Sequence, residues 1–294
     1  MTKEKIGFIG VGLMGHGMAK NILAKGWELT VMGHRNRAPV ENLLSLGAKE
    51  AKTPREMAGA VDVVMLCVTG SVQVEAILDG PEGLRAAGRP LLVIDCSTSD
   101  PSVTLKLAEK LAPEGITLID APLGRTPAEA EAGTLDVMAG GDDETFARAE
   151  PILAAFSRRV IHTGPTGSGH TMKLLNNFLS LGYAALYSEA LMIGAKTGID
   201  GKTFDSVIRG GRMDCDFYRS FAGWFVERNP DAHKFTISNA LKDVTYLASL
   251  GNAIGVANPV GTAVRNSYGL ACGLGHGDAY VPRLADIVAE ANAG

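Results

Sequence analysis

The sequence predicts an α/β protein in two parts. An N-terminal doubly wound, mostly parallel sheet is followed by an all-α C-terminal domain, joined to it by a long interdomain helix. Three observations carry this expectation. Short apolar, partly β-branched runs alternate with helical patterns through the first half of the chain, the texture of parallel strands covered by helices on both faces. A glycine-rich turn, Gly10-x-Gly12-x-x-Gly15, lies between the first strand-like run and the first helical one. Beyond residue 163 strand signals nearly vanish, and 171–197 reads as one long helix without proline.

Taken in order, strands are expected at 6–9, 28–32, 61–68, 90–95, 117–120, 136–139 and 160–163. Helices fall between them at 15–25, 39–46, 71–78, 102–111 and 143–156, the last opening on Asp142-Asp143-Glu144, since carboxylates favour a helix N-terminus. The stretch Gly164-Pro165-Thr166-Gly167-Ser168-Gly169 has the composition of a loop. It divides the chain into a sheet domain at 1–163 and a helical domain at 164–294. Later helices are expected at 201–208, 218–227, 240–250, 258–268 and 282–291. The length of 294 residues matches two domains at about 150 residues each, and 46% hydrophobic content suffices for two cores.

Composition excludes several classes. A formal charge of −4 argues against nucleic-acid and membrane-surface partners. No apolar run is read as long enough to span a bilayer, which takes about 20 residues. The first residues lead straight into a strand, so no signal peptide is expected. Cys67, Cys96, Cys215 and Cys272 are scattered without metal-ligand spacing and fit buried thiols in a reducing cytoplasm. The six histidines form no H-x-x-x-H pair, so no metal site is expected.

Between a strand and a helix, the glycine turn reads as a Rossmann-type dinucleotide site. Gly10 permits the tight turn, Gly12 lets the backbone approach a pyrophosphate, and Gly15 lets helix and strand pack closely. Leu13 and Met14 complete the turn, and the helix start adds N–H groups and partial positive charge. After the second strand the residues are Gly33-His34-Arg35-Asn36-Arg37, with no Asp or Glu between Glu28 and Glu41. A ribose 2′-hydroxyl is usually met there by a carboxylate, whereas a 2′-phosphate calls for a guanidinium. Arg35, with His34 beside it and Arg37 or Asn36 in support, therefore favours NADP(H) over NAD(H). A solvated basic loop is the alternative.

Two later segments are Asp120-Ala121-Pro122-Leu123-Gly124-Arg125-Thr126 and Gly167-Ser168-Gly169-His170-Thr171-Met172-Lys173-Leu174-Leu175-Asn176-Asn177. Together with the glycine turn, in this order along the whole chain, they resemble the β-hydroxyacid dehydrogenases, the 3-hydroxyisobutyrate dehydrogenase group. Lys173 and Asn177 are four apart and share a helix face, Asn176 beside them. Met172, Leu174, Leu175, Phe178 and Leu179 surround them, so partial desolvation is expected to disfavour the ammonium form. Such a lysine gives a proton to a carbonyl oxygen, or takes it from the alcohol, a role worth about 10²–10⁴-fold in rate. Asn177 would hold it in register with the reacting oxygen. A snorkelling surface lysine is the bland alternative.

The resemblance implies further site residues. Gly124, Arg125 and Thr126 stand where many members have Ser-Gly-Gly holding the substrate carboxylate. The Gly-Arg-Thr triplet looks like the subgroup of sulfolactaldehyde and succinic semialdehyde reductases. Arg125 then either pairs with a carboxylate or sulfonate or forms an ion pair with Glu129. Val68, Thr69 and Thr98 close strands beside the cofactor, with Thr98 also near the substrate. Phe235 and Lys242-Asp243 resemble a late element in which the lysine reaches the nicotinamide side, although a Lys-Asp pair on a helix is more often surface decoration. The implied partner is a small acidic semialdehyde or hydroxyacid, and the implied assembly a homodimer or homotetramer. Two rivals stay open: an imine reductase of the same architecture, where another residue commonly replaces the lysine, and a non-catalytic NADP(H)-binding sensor with no use for Lys173 and Asn177.

Overall fold

A computed structural model describes residues 3–292. Strands and helices alternate as β1 (Ile6–Ile9), α1 (Gly15–Ala24), β2 (Leu29–Met32), α2 (Ala38–Ser45), β3 (Lys49–Ala51), α3 (Pro54–Ala60), β4 (Val63–Leu66) and α4 (Ser71–Asp79). The series continues with β5 (Leu91–Asp95), α5 (Pro101–Leu111), β6 (Ile116–Asp120), β7 (Leu123–Gly124), α6 (Pro127–Ala132), β8 (Leu135–Gly140), α7 (Asp143–Leu153) and β9 (Ser157–Gly164). Six strands lie parallel in the order β3-β2-β1-β4-β5-β6. β8 then runs antiparallel to β6 and β7 and parallel to β9. The sheet is thus the doubly wound, mostly parallel one that the alternation predicts.

Strand order reverses at β1, which has β2 on one side and β4 on the other. A ligand crevice therefore opens at the carboxyl ends of β1 and β4. Side-chain alternation buries both faces. Ile6, Phe8, Val63, Met65, Leu92 and Ile94 enter one core layer, and Ile9, Val64, Leu66, Leu91 and Val93 the other.

The helical half comprises α8 (Ser168–Lys196), α9 (Gly201–Ile208), α10 (Asp216–Glu227), α11 (Ile237–Ala253), α12 (Pro259–Gly273) and α13 (Leu284–Ala291). Leu181, Ala184, Tyr187, Tyr218, Phe221, Val244, Tyr268 and Ile287 form its core, with Tyr268 donating its hydroxyl to Leu181 O at 2.9 Å. Contacts divide the chain into two compact units, Met1–Lys173 and Leu174–Gly294, so the division falls inside α8.

One expectation needs correction. By length and composition α8 is apolar enough to cross a bilayer, although no run was expected to reach that threshold. Gly182, Ser188 and Glu189 interrupt its apolar residues, so no single run stands out, yet a stretch within its 29 residues reaches the threshold on average. Leu174, Leu181, Ala184, Ala185 and Tyr187 are buried, four of them in the helical core. The helix carries Lys173, Asn177 and Glu189 along its length, and 33% of its apolar stretch is buried.

Candidate active site

At the end of β1 the backbone turns through Gly10, whose φ of 101° is a left-handed value that L side chains rarely adopt. A Cβ there would overlap Cys67 O, and one at Gly15 would overlap Gly10 O. At Gly12 a Cβ would meet nothing within 4 Å. The first turn of α1 carries neither an acidic residue nor a side-chain cap. A cradle of open backbone facing an uncapped helix start fits the pyrophosphate of a dinucleotide. Leu13 is exposed and Met14 half-buried in this turn. Val68, Thr69 and Thr98 follow the ends of β4 and β5, Val68 and Thr98 half-buried and Thr69 exposed. Val68 N donates to Ser97 Oγ at 3.0 Å, tying these two strand ends together.

The loop after β2 separates its basic residues by their partners. Arg37 is committed to Glu50 through Nη1 at 2.5 Å and Nη2 at 3.1 Å. That pairing raises the guanidinium's pKa and lowers the carboxyl's. Asn36 Oδ1 accepts from Ala38 N at 3.2 Å. Arg35 is exposed and has no ion-pair partner among the described residues, and His34 is exposed next to it. Glu50 is invisible in a scan of residues 28–41 because it arrives from β3.

Gly124 ends β7, and Arg125 takes a φ of 81°, left-handed for a side chain that has no special licence for it. Arg125 is exposed, its Nη1 donates to Thr134 O at 3.4 Å, and among the described residues it makes no ion pair with Glu129 or any other carboxylate. Thr126 opens α6 in a capping box: its N and Oγ1 both donate to Glu129 Oε2, at 3.0 and 2.5 Å.

α8 starts on the sheet. Asp120, wholly buried at the end of β6, accepts from Gly167 N and His170 N, both at 2.6 Å. Burial pushes its carboxyl up, while His170 and those N–H groups pull it back. Side chains at Gly140 or Gly169 would collide with Asp120 and with the backbone around it, so glycine alone lets helix and strand ends meet. Lys173 follows one turn later, half-buried. Of the apolar neighbours expected to shield it, Leu174 is buried and Phe178 half-buried, whereas Met172, Leu175 and Leu179 are exposed.

Asn177, 8% exposed, is held within the helical unit. Its Nδ2 donates to Asp243 Oδ2 at 2.7 Å, and Lys242 Nζ lies 2.7 Å from Asp243 Oδ1. A carboxylate only accepts, so the amide nitrogen must face it and the Asn177 carbonyl turns the other way. Asp243 is 2% exposed, which overturns the surface-decoration reading of Lys242-Asp243. Asp120 and Asp243 stand in the sequence reading only as parts of their segments, with no role given to either carboxylate. The regular spacing of Leu241, Val244 and Leu247 on α11 places Asp243 beside buried positions, a signal that was readable.

Residues 5–164 match the family model described as the NAD binding domain of 6-phosphogluconate dehydrogenase. Residues 167–284 match the one described as NAD-binding of NADP-dependent 3-hydroxyisobutyrate dehydrogenase. A 3-hydroxyisobutyrate dehydrogenase of Pseudomonas aeruginosa is 34% identical over 273 residues, covering 90% of this chain and 91% of the relative. The 3-sulfolactaldehyde reductase of Escherichia coli K12 is 32% identical over 273 residues, covering 92% and 91%. The crystal structure of 3-hydroxyisobutyrate dehydrogenase from Salmonella typhimurium aligns with a TM-score of 0.86 at 25% identity, over 97% of this chain and 100% of that one.

The glycine turn separates folding from binding. Gly10→Ala is expected to lower the melting temperature, because its Cβ meets backbone at a left-handed φ. Gly12→Ala is expected to leave melting within about 2 °C, a surface-type change, while weakening nicotinamide dinucleotide binding in calorimetry. Equal melting losses in the two variants would contradict this division.

Proposed function

The chain belongs to the β-hydroxyacid dehydrogenase family that contains 3-hydroxyisobutyrate dehydrogenase, nicotinamide-dependent oxidoreductases acting on the CH–OH group of hydroxyacids; on that premise we propose that it reduces a small acidic semialdehyde to its hydroxyacid, and runs the reverse oxidation, with NADP(H) preferred over NAD(H). When bound, the reduced nicotinamide supplies hydride to the carbonyl carbon. Lys173 gives its proton to the carbonyl oxygen, completing the alcohol, and takes it back in the oxidation. Asn177, with Nδ2 committed to Asp243 and Oδ1 within 3.4 Å of Asn176 Nδ2, keeps a carbonyl lone pair to offer the product hydroxyl. The observation that carries this reading is the Asn177–Asp243 bond: a buried, oriented amide one helical turn beyond Lys173.

We assign cofactor roles to Gly10, Gly12, Leu13, Met14, Gly15, His34, Val68, Thr69, Thr98 and Lys242, a reading supported for the first nine by their places in the turns after strand ends and for Lys242 by the family resemblance. The preference for NADP(H) rests on Arg35, since Arg37 is neutralised by Glu50. Gly124, Arg125 and Thr126 bind the substrate anion, Thr126 through backbone more than hydroxyl because Glu129 occupies its Oγ1. A non-glycine residue at φ 81° costs roughly 1 kcal/mol. Arginine stands there in place of the family's common glycine, and a retained strain of that kind supports a guanidinium aimed at a second anionic group on the substrate. The protein works in the cytoplasm as a homodimer or homotetramer. The exposed apolar stripe Met172, Leu175, Leu179, Leu186 and Ile193 along α8 supports that assembly.

A panel of succinic, tartronic and methylmalonic semialdehydes and sulfolactaldehyde with NADPH is expected to yield at least one efficient substrate carrying a second anion. Turnover of a cyclic imine and of none of these would overturn the reading. Arg125→Gly is expected to keep or raise the melting temperature and to raise KM for that substrate about 10- to 100-fold, the worth of a charge-assisted hydrogen bond. An equal rise for an uncharged aldehyde would count against it. Arg35→Asp is expected to weaken NADPH binding more than NADH binding in fluorescence titrations, and equal losses would contradict the 2′-phosphate assignment.

A further inference from the structure

His170 is wholly buried in the first turn of α8, three residues before Lys173. Residues at this spacing share a helix face. Its backbone N–H goes to Asp120, and its ring reaches a different element: Nδ1 lies 2.8 Å from Thr104 Oγ1, in the first turns of α5. The Thr104 hydroxyl also reaches Asp100 O at 3.2 Å, so it links the imidazole to the first turn of α5. The other ring nitrogen, Nε2, points at Asp95 Oδ2 from 3.6 Å and has no hydrogen-bond partner among the described residues.

Asp95, 1% exposed, organises the loop that carries Thr98. Its Oδ1 accepts from Ser97 N and its Oδ2 from Ser99 Oγ, both at 2.9 Å. Asp100 then caps α5 through Ser102 N at 2.9 Å. The imidazole thus stands between two buried carboxylates, Asp95 on the Thr98 side and Asp120 on the α8 side, the latter 3.8 Å from Nδ1. A polar side chain is costly to bury unless it is hydrogen-bonded, and a buried polar network so satisfied is rigid.

We propose that His170 is a positioning residue: through Thr104 and its seat between Asp95 and Asp120 it fixes the first turn of α8, and so Lys173, relative to the Thr98 loop. The proposal rests on the assignment of Lys173 as the acid. A shift of a reacting group by about 1 Å can cost about 10²-fold in rate while leaving binding little changed, so the signature is a fall in kcat without a matching change in KM or cofactor affinity.

The test uses full-length His170→Leu, His170→Asn and Thr104→Val, with Lys173→Ala as a separate control. Each is read by kcat and KM per folded enzyme, cofactor Kd and melting temperature. Asn keeps a group at the Nδ1 position, and Leu removes both ring nitrogens. His170→Leu and Thr104→Val are expected to lower kcat about 10- to 100-fold with KM and Kd within about threefold. His170→Asn is expected to recover most of the loss. If Thr104→Val, which leaves the histidine in place, keeps kcat within twofold, the proposal is wrong. An Asn variant no better than Leu, or a loss confined to melting temperature, overturns it as well. Full turnover by Lys173→Ala would instead strike at the acid assignment, and the two failures are told apart by which variant keeps its rate.

Discussion

Asp120 holds the start of α8 to the end of β6, and the rest of the candidate site depends on that bond pair. A carboxylate buried without compensation costs several kcal/mol. Here two backbone N–H groups and the positive end of a 29-residue helix supply the compensation. The helix start is thereby nailed to the sheet at the edge where a parallel sheet binds ligands. Gly140 and Gly169 are needed for the approach, since a methyl group at either would strike Asp120 or its neighbours. Lys173, one turn on, inherits its place from this junction.

The same logic recurs inside the helical unit. Asp243 is a buried carboxylate balanced by the Asn177 amide and the Lys242 ammonium. Asn177 gains a fixed orientation because its partner only accepts. In the sheet unit, Asp95 wraps the Ser97–Ser99 segment around itself. Buried acids that each collect donors are what turn loops and helix ends into rigid supports.

Much of this architecture is legible in the chain itself. Strands such as Val63–Leu66 and the Leu91–Ile94 part of β5 announce themselves as unbroken apolar runs, because both faces are covered. β3 escapes notice because it is three residues, two of them exposed and charged. The short helices α3 and α6 are also passed over, yet each opens on a readable signal, Thr53-Pro54-Arg55-Glu56 and Thr126-Pro127-Ala128-Glu129. In both, the threonine caps the helix and the glutamate reaches back. The glycine turn and the Lys173–Asn177 spacing are local patterns and so can be read directly. The pairings of Asp120 with His170, Asp243 with Asn177 and Glu50 with Arg37 are not, because the partners lie 13 to 66 residues apart in sequence and only the tertiary fold brings them together.

The account stands on an amine at position 173 that protonates the reacting oxygen, and chemical rescue tests this most directly. Lys173→Ala enzyme, saturated with NADPH and semialdehyde, is supplied with primary amines of graded basicity while reduction is followed by loss of NADPH absorbance. The account predicts that turnover returns with amine concentration and follows amine acidity along a Brønsted line. Turnover at the native rate with no amine added, or no recovery with any amine while cofactor and substrate still bind, would contradict it.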